Sequence, residues 1–282
     1  MESPTDPFLR LVEVIRSLRH PKTGCPWDLE QTHLTLRPYL VEETYEVLEA
    51  IEAGDDRELK EELGDVLLQV VLHSQLADER NAFAINDVVR TVTDKMIRRH
   101  PHVFGNVAVE SSNEVLKNWE TIKSAERTEK NVQEKPVSVL DGVPAALPAL
   151  IRAQRIGEKA NRVGFDWESP DQVWQKVEEE LKEVLVETAK LPPSTQPLTT
   201  APTDRDPALQ TALEHEIGDL LFSVCQYARW LGVSAEDSLR GTVDRFISRF
   251  RQMEALSEGT LRGRSTPELD QLWEKAKALL EK

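Results

Sequence analysis

Apolar residues recur along this chain at three- and four-residue intervals rather than in alternation. From Leu40 they fall at Leu40, Val41, Val47, Leu48 and Ile51, with Thr44 on the same line, the one-face spacing of an amphipathic helix. From Leu59 they fall at Leu59, Leu63, Val66, Leu67 and Val70, which predicts a second helix. Segments around Ile85 to Arg99 and Leu116 to Arg127 predict two more, and strand alternation is nowhere sustained. The pattern predicts an all-α chain whose halves are small helical bundles.

Two breaks interrupt the helical period. Residues 136–150, with Pro136, Gly142, Pro144 and Pro148, predict a linker between an amino-terminal module at 1–135 and a carboxy-terminal module at 151–282. The stretch LPPSTQPLTTAPTDRDP at 191–207, rich in Pro and Thr, predicts a flexible loop inside the second module.

The two halves repeat each other. VEETYEVLEA from Val41 resembles EEELKEVLVE from Glu178, which pairs Glu43 with Glu180 and Glu46 with Glu183 at an offset of 137. KEELGDVLLQVV from Lys60 resembles EHEIGDLLFSVC from Glu214, which pairs Glu62 with Glu216 and Asp65 with Asp219 at an offset of 154. The offsets differ by 17, the length of the stretch at 191–207, so one loop insertion reconciles the copies. DKMIRRH from Asp94 pairs with DRFISRF from Asp244, so that Lys95 meets Arg245 and Arg99 meets Arg249. The duplication therefore spans three helices.

Glu43 and Glu46 are three residues apart and rise from adjacent turns of one helix face; Glu62 and Asp65 repeat that spacing. Both pairs lie beside their apolar stripe, so packing the stripes together brings four carboxylates to one rim. Such a set repels itself unless cations sit among it. Oxygen ligands without His or Cys at the same spacing favour Mg²⁺ or Mn²⁺ over zinc. One EExxE run is ordinarily a solvated helix face, but a face kept only for solubility has no reason to hold the same Glu, Glu, Glu, Asp spacing twice.

Charge and cysteine usage narrow the class. With 35 Lys and Arg against 50 Asp and Glu, the net charge of -15 argues against a nucleic-acid footprint, which needs surplus cations. Cys25 and Cys225 are too few and too far apart to staple the fold, which suits a reducing cytoplasm. No run of 18 apolar residues and no leader-like start is present, so neither a membrane span nor export is expected.

EETYE at 42–46 followed by EELGD at 61–65 resembles the EExxE and ExxD signature of the MazG family of nucleoside triphosphate pyrophosphohydrolases. GCPWD at 24–28, RRHPHVFG at 98–105 and WETIKSAER at 119–127 are similar to the family's amino-terminal module, and RAQRIGEKANRVGFDW at 152–167 to the start of its carboxy-terminal one. The resemblance implies an all-α, intertwined homodimer of tandem four-helix modules. It implies Mg²⁺ held on Glu43, Glu46, Glu62 and Asp65, or on Glu180, Glu183, Glu216 and Asp219. It implies cleavage of a nucleoside triphosphate to monophosphate and pyrophosphate, as nucleotide-pool housecleaning, with Glu42 or Glu179 orienting or deprotonating the attacking water. Lys95, Arg98 and Arg99 in the first module, and Lys176, Arg245 and Arg249 in the second, are the candidates to meet the phosphates. Trp27 and Trp273 are candidates to stack on the base.

The chain departs from the family where a lysine and an asparagine are usual before the FxxRF stretch, having Gly241 and Val243 there. With its short connector and its lysine at Lys95, the first module is therefore expected to contribute to turnover. The alternative is a catalytically weak nucleotide-sensing or partner-binding helical protein.

Overall fold

The computed structural model describes residues 6–130, 138–192, 206–257 and 260–281, and among these every regular element is a helix. The loop expected at 191–207 lies mostly outside them. The chain divides into two compact units, Met1–Gln133 and Glu134–Lys282.

The first unit holds α1 (Pro7–Leu18), α2 (Pro26–Glu30), α3 (Arg37–Ala53), α4 (Asp56–Glu79), α5 (Ile85–Arg99), α6 (Pro101–Phe104) and α7 (Ser112–Lys130). Helix α1 starts where the Asp6 carboxylate accepts the backbone N–H groups of Phe8 and Leu9 at 2.8 and 3.1 Å, with Pro7 needing no partner. The turn between α3 and α4 is tight because Gly54, at φ 66°, closes one helix and the Asp55 carboxylate caps the next. Helices α3 and α4 consequently run back against each other, with α1 and α5 on α4. Val12 and Ile15 of α1, Leu36, and Val71 and Leu72 of α4 form the buried cluster. Arg19, buried at the end of α1, sends Nε to one oxygen of Glu79 and a terminal nitrogen to the other, each at 2.7 Å.

The second unit holds α8 (Ala149–Asn161), α9 (Pro170–Thr188), α10 (Pro207–Trp230), α11 (Ala235–Leu256) and α12 (Thr266–Leu280). Helix α10 packs against α9 and α8, and α12 against α11. Residues 138–148, within the stretch expected as a linker, are held to α8 by Lys159, whose ammonium donates to the carbonyls of Val139 and Asp141 at 3.2 and 2.7 Å. Fully buried Gln226 donates to the Ala153 carbonyl and accepts from Arg229 Nε, and Arg229 in turn makes a two-pronged pair with Asp166.

Gly157 is what lets that network form. A Cβ there would lie 1.8 Å from Gln226 Oε1 and 2.9 Å from Arg229 Nε. Alanine in a helix interior normally gains up to about 1 kcal/mol over glycine. Here Gly157→Ala should instead destabilise the chain, by about 1–3 kcal/mol as an overpacked site. A urea melt reads the sign, and an unchanged or raised midpoint would show that the network yields without cost.

The stripes on the first two sequence-predicted helices are only partly covered: Leu40, Val47, Leu48, Leu59 and Val66 are half-buried, whereas Val41, Ile51, Leu63, Leu67 and Val70 are exposed in the single chain. The α1 side of α4 is buried instead, on Val71 and Leu72.

Candidate metal and nucleotide site

The hairpin of α3 and α4 brings the first carboxylate set together by arithmetic. Glu43 lies 11 residues before Gly54 and Asp65 lies 11 after, while Glu46 and Glu62 lie eight before and eight after. Two antiparallel helices pivoting there set Glu43 level with Asp65 and Glu46 level with Glu62. Carboxylate oxygens of Glu43, Glu62 and Asp65 lie within 4.8 Å of one another, and those of Glu180, Glu216 and Asp219 do the same in the second unit.

The fourth member of each set adjoins these three. Burial, then the hydrogen bond that the Glu43 carboxyl donates to Glu46 and the charges of Asp65 and Glu46, push Glu43 up, against the opposing Gln69 amide. Glu62 is raised by desolvation and then by Glu46 and Asp65. Glu183 is raised by desolvation and then by Glu180 and Glu216. No lysine or arginine among the described residues pairs with the first set. Uncompensated carboxylates of this kind, all oxygen and crowded, suit a hard divalent cation such as Mg²⁺ or Mn²⁺. Glu42 is exposed and has no hydrogen-bond or ion-pair partner among the described residues.

The second set is not bare. Lys176, one turn before Glu180 on α9, lies 2.6 Å from Glu180 Oε1 and 2.9 Å from Glu179. The hydrogen bond to Glu180, then that to Glu179, raises the Lys176 ammonium pKa. The expected nucleotide grip and the expected base of this module are thus bonded to each other.

The cationic candidates have partners of their own. Arg98 and Arg99 both reach Glu126 of α7, each with a nitrogen 2.5 Å from a carboxylate oxygen. The hydrogen bond from Arg99 is the main reason the Glu126 carboxyl falls to about 2, with Arg98 adding to it and burial opposing. Lys95 has no ion-pair partner among the described residues. In the second unit Arg249 pairs with Glu281 at 2.8 Å and lies 5.7 Å above the Trp273 ring, while Arg245 donates to Thr242 Oγ1 at 2.7 Å.

Trp27 packs edge-on to Tyr39, their ring centres 5.9 Å apart. The tryptophan that matches Trp273 is Trp119, whose ring lies 5.2 Å from the Arg99 guanidinium much as that of Trp273 lies beside Arg249. The signal is present in the sequence, since Trp119-Glu120 and Trp273-Glu274, each with a lysine four residues after the tryptophan, stand 154 apart. The duplication therefore extends to a fourth helix, with α7 answering α12.

Comparison with known proteins decides the family. The MazG nucleotide pyrophosphohydrolase domain matches residues 31–104 and again 168–253, over both carboxylate sets. The chain belongs to the MazG family. A MazG protein of Thermotoga maritima, named nucleoside triphosphate pyrophosphohydrolase/pyrophosphatase, is 45% identical over 96% of this chain and 95% of its own length. The nucleoside triphosphate pyrophosphohydrolase of Escherichia coli K12 is 42% identical over 95% of this chain and 96% of its own. A crystal structure of a mazG-related protein from Thermotoga maritima is 33% identical, covers 41% of this chain and 97% of its own, and superposes with a TM-score of 0.35.

The first MazG module also uses histidine structurally. His100 hydrogen-bonds the Met96 carbonyl at 2.7 Å and packs on Trp119, which is a capping role at the end of α5. His73 stacks on His33 with their Nδ1 atoms 2.8 Å apart. Burial, then the neighbouring His33, pushes His73 down. No helix among the described residues is long and apolar enough to cross a membrane.

Proposed function

We infer that this chain is a nucleoside triphosphate pyrophosphohydrolase that cleaves its substrate to nucleoside monophosphate and pyrophosphate. The observation that carries the reading is the carboxylate cluster present in each of two MazG domains. Glu43, Glu46, Glu62 and Asp65, and Glu180, Glu183, Glu216 and Asp219, would hold Mg²⁺, with Mn²⁺ as a substitute. When bound, the cation neutralises phosphate oxygens and lowers the pKa of a coordinated water. Glu42 and Glu179, each next in sequence to the first carboxylate of its set, would orient or take a proton from that water. Lys95, Arg98 and Arg99, and Lys176, Arg245 and Arg249, supply positive charge for the phosphates. Trp119 joins Trp27 and Trp273 as a surface for the base.

The test is a panel of canonical, deoxy and modified nucleoside triphosphates incubated with Mg²⁺, with products separated by chromatography. Monophosphate and pyrophosphate in equal amounts are expected. Diphosphate with orthophosphate would overturn the reaction class, and no turnover on any member would favour a nucleotide-sensing role. A preference for modified bases would mark the housecleaning role.

The same reading includes a homodimer. Ile51 is 55% exposed in the single chain, Leu185 58% and Phe246 54%, and each belongs to a larger set of exposed apolar residues on its helix. Apolar faces of that extent mark interaction surfaces. A Cβ at Gly64 or Gly218, mid-helix beside Asp65 and Asp219, would meet nothing within 4 Å beyond its own helix turn. Glycine there costs helix stability without any packing return inside the chain, which fits close approach by a partner. Sedimentation equilibrium should give twice the 32.0 kDa chain mass; a monomer at micromolar concentration would remove the dimer from the proposal.

A further inference from the structure

The two carboxylate sets differ in one charge. At the 137-residue offset that pairs Glu43 with Glu180, Lys176 answers Tyr39. Tyr39 is uncharged and rests against the edge of Trp27. Lys176 places its ammonium 2.6 Å from Glu180 Oε1, and the Glu180 side chain is only 7% exposed. One ligand of the second cluster is therefore already engaged by a cation of the protein's own, whereas the first cluster has none among the described residues.

We propose that Lys176 is an internal competitor of the second-site cation, which makes that site weaker for divalent metal than the first until nucleotide phosphates draw the lysine away. The inference rests on the reading that both clusters hold divalent cations. A cation bound to Glu180, Glu216 and Asp219 would lie within a few ångströms of the ammonium that already engages Glu180, and the two like charges would compete for the same carboxylate oxygens. The lysine must leave for the metal to enter. Its four-carbon stem allows that without backbone movement, and at 35% side-chain exposure the ammonium has solvent to move into. A triphosphate offers it a new anionic partner. Metal and nucleotide then help each other bind at the second site, because coupling between two ligands is reciprocal. At the first site, with Tyr39 in the corresponding place, this coupling is absent.

The experiment titrates the full chain with Mn²⁺ and reads free Mn²⁺ by electron paramagnetic resonance, so that turnover plays no part. Wild type should show two classes of site, and Glu43→Gln with Glu46→Gln should remove the tighter. Lys176→Met, which keeps the length of the stem, should tighten the weaker class about tenfold or more. Tyr39→Lys should weaken the tighter class by a similar factor. A triphosphate with an imido bridge between its α and β phosphorus atoms, present at saturation, should narrow the gap in wild type more than in Lys176→Met. Circular dichroism confirms that each variant is folded. Two classes that Lys176→Met leaves unchanged or weakens would overturn the role of Lys176 while leaving both metal sites standing. Absence of any Mn²⁺ binding sensitive to the carboxylate variants would overturn the metal reading itself, and this inference with it.

Discussion

Excess EDTA is expected to abolish pyrophosphate release from every nucleoside triphosphate the chain accepts, with activity returning on addition of Mg²⁺ or Mn²⁺. The loss should be at least about a thousandfold, for two separate reasons. The pKa of water is far above neutrality without a metal, and among the described residues no histidine or cysteine belongs to either carboxylate cluster to take over as a nucleophile. The empty clusters also repel the substrate, because a triphosphate must approach three carboxylates whose oxygens lie within 4.8 Å of one another. Burial and mutual repulsion already push Glu43, Glu62 and Glu183 upward, so part of that charge is relieved by proton uptake as pH falls through the acid range. Groups raised in this way weaken the apo fold once ionised, and a cation removes the penalty. Chelation should therefore leave the helical circular dichroism in place while lowering the melting temperature by a few degrees. Full turnover in excess EDTA would rule out the carboxylates as metal ligands.

Much of this arrangement is legible in the order of the residues alone. Glu43 and Asp65 face each other because each lies 11 residues from Gly54, and a glycine followed by an aspartate between two helical patterns marks a stop and a start. The repeated spacing around Glu180 and Glu216 needs only the inserted stretch at 191–207 to be set aside. The pairing of Lys176 with Glu179 and Glu180 follows from i, i+3 and i, i+4 neighbours on one helix face.

Other features depend on contacts that local spacing does not contain. Arg98 and Arg99 meet Glu126 across 28 and 27 residues, a pairing set by how α7 returns to α5. Periodicity likewise marks Leu63, Leu67 and Val70 as an apolar face without saying what covers it, and in the single chain all three are exposed. The same pattern is written for a core and for a subunit interface. Trp119 is the opposite case: its correspondence with Trp273 stands in the sequence itself, at the 154-residue offset shared by Glu62 with Glu216 and Asp65 with Asp219.

Replacing ligands one module at a time should separate the contributions of the two sites. Each of the two pairs, Glu43→Gln with Glu46→Gln and Glu180→Gln with Glu183→Gln, is expected to lower kcat/KM on a common nucleotide panel, the first by at least a few-fold. Each removes two negative charges, so cation binding is lost; stability should hold or rise slightly in the first pair, whose carboxylates have no basic partner among the described residues, whereas the second pair also gives up the Lys176–Glu180 ion pair. The first module brings a set with no basic partner among the described residues, a one-turn connector at Gly54 and Asp55, and Lys95 likewise without an ion pair. Against it, both of its arginines are committed to Glu126, and a triphosphate has to compete with that carboxylate for them. The second module has Arg245 bonded to the Thr242 hydroxyl rather than to a carboxylate, but its Glu180 is held by Lys176 and its family positions carry Gly241 and Val243. Neither module combines bare ligands with a full set of unengaged cations, which is why the loss is expected to be shared. Melting curves of both double variants distinguish lost chemistry from lost folding. If the first pair leaves the rate untouched while the second abolishes it, the amino-terminal carboxylates serve structure or metal storage, and turnover belongs to the carboxy-terminal module alone.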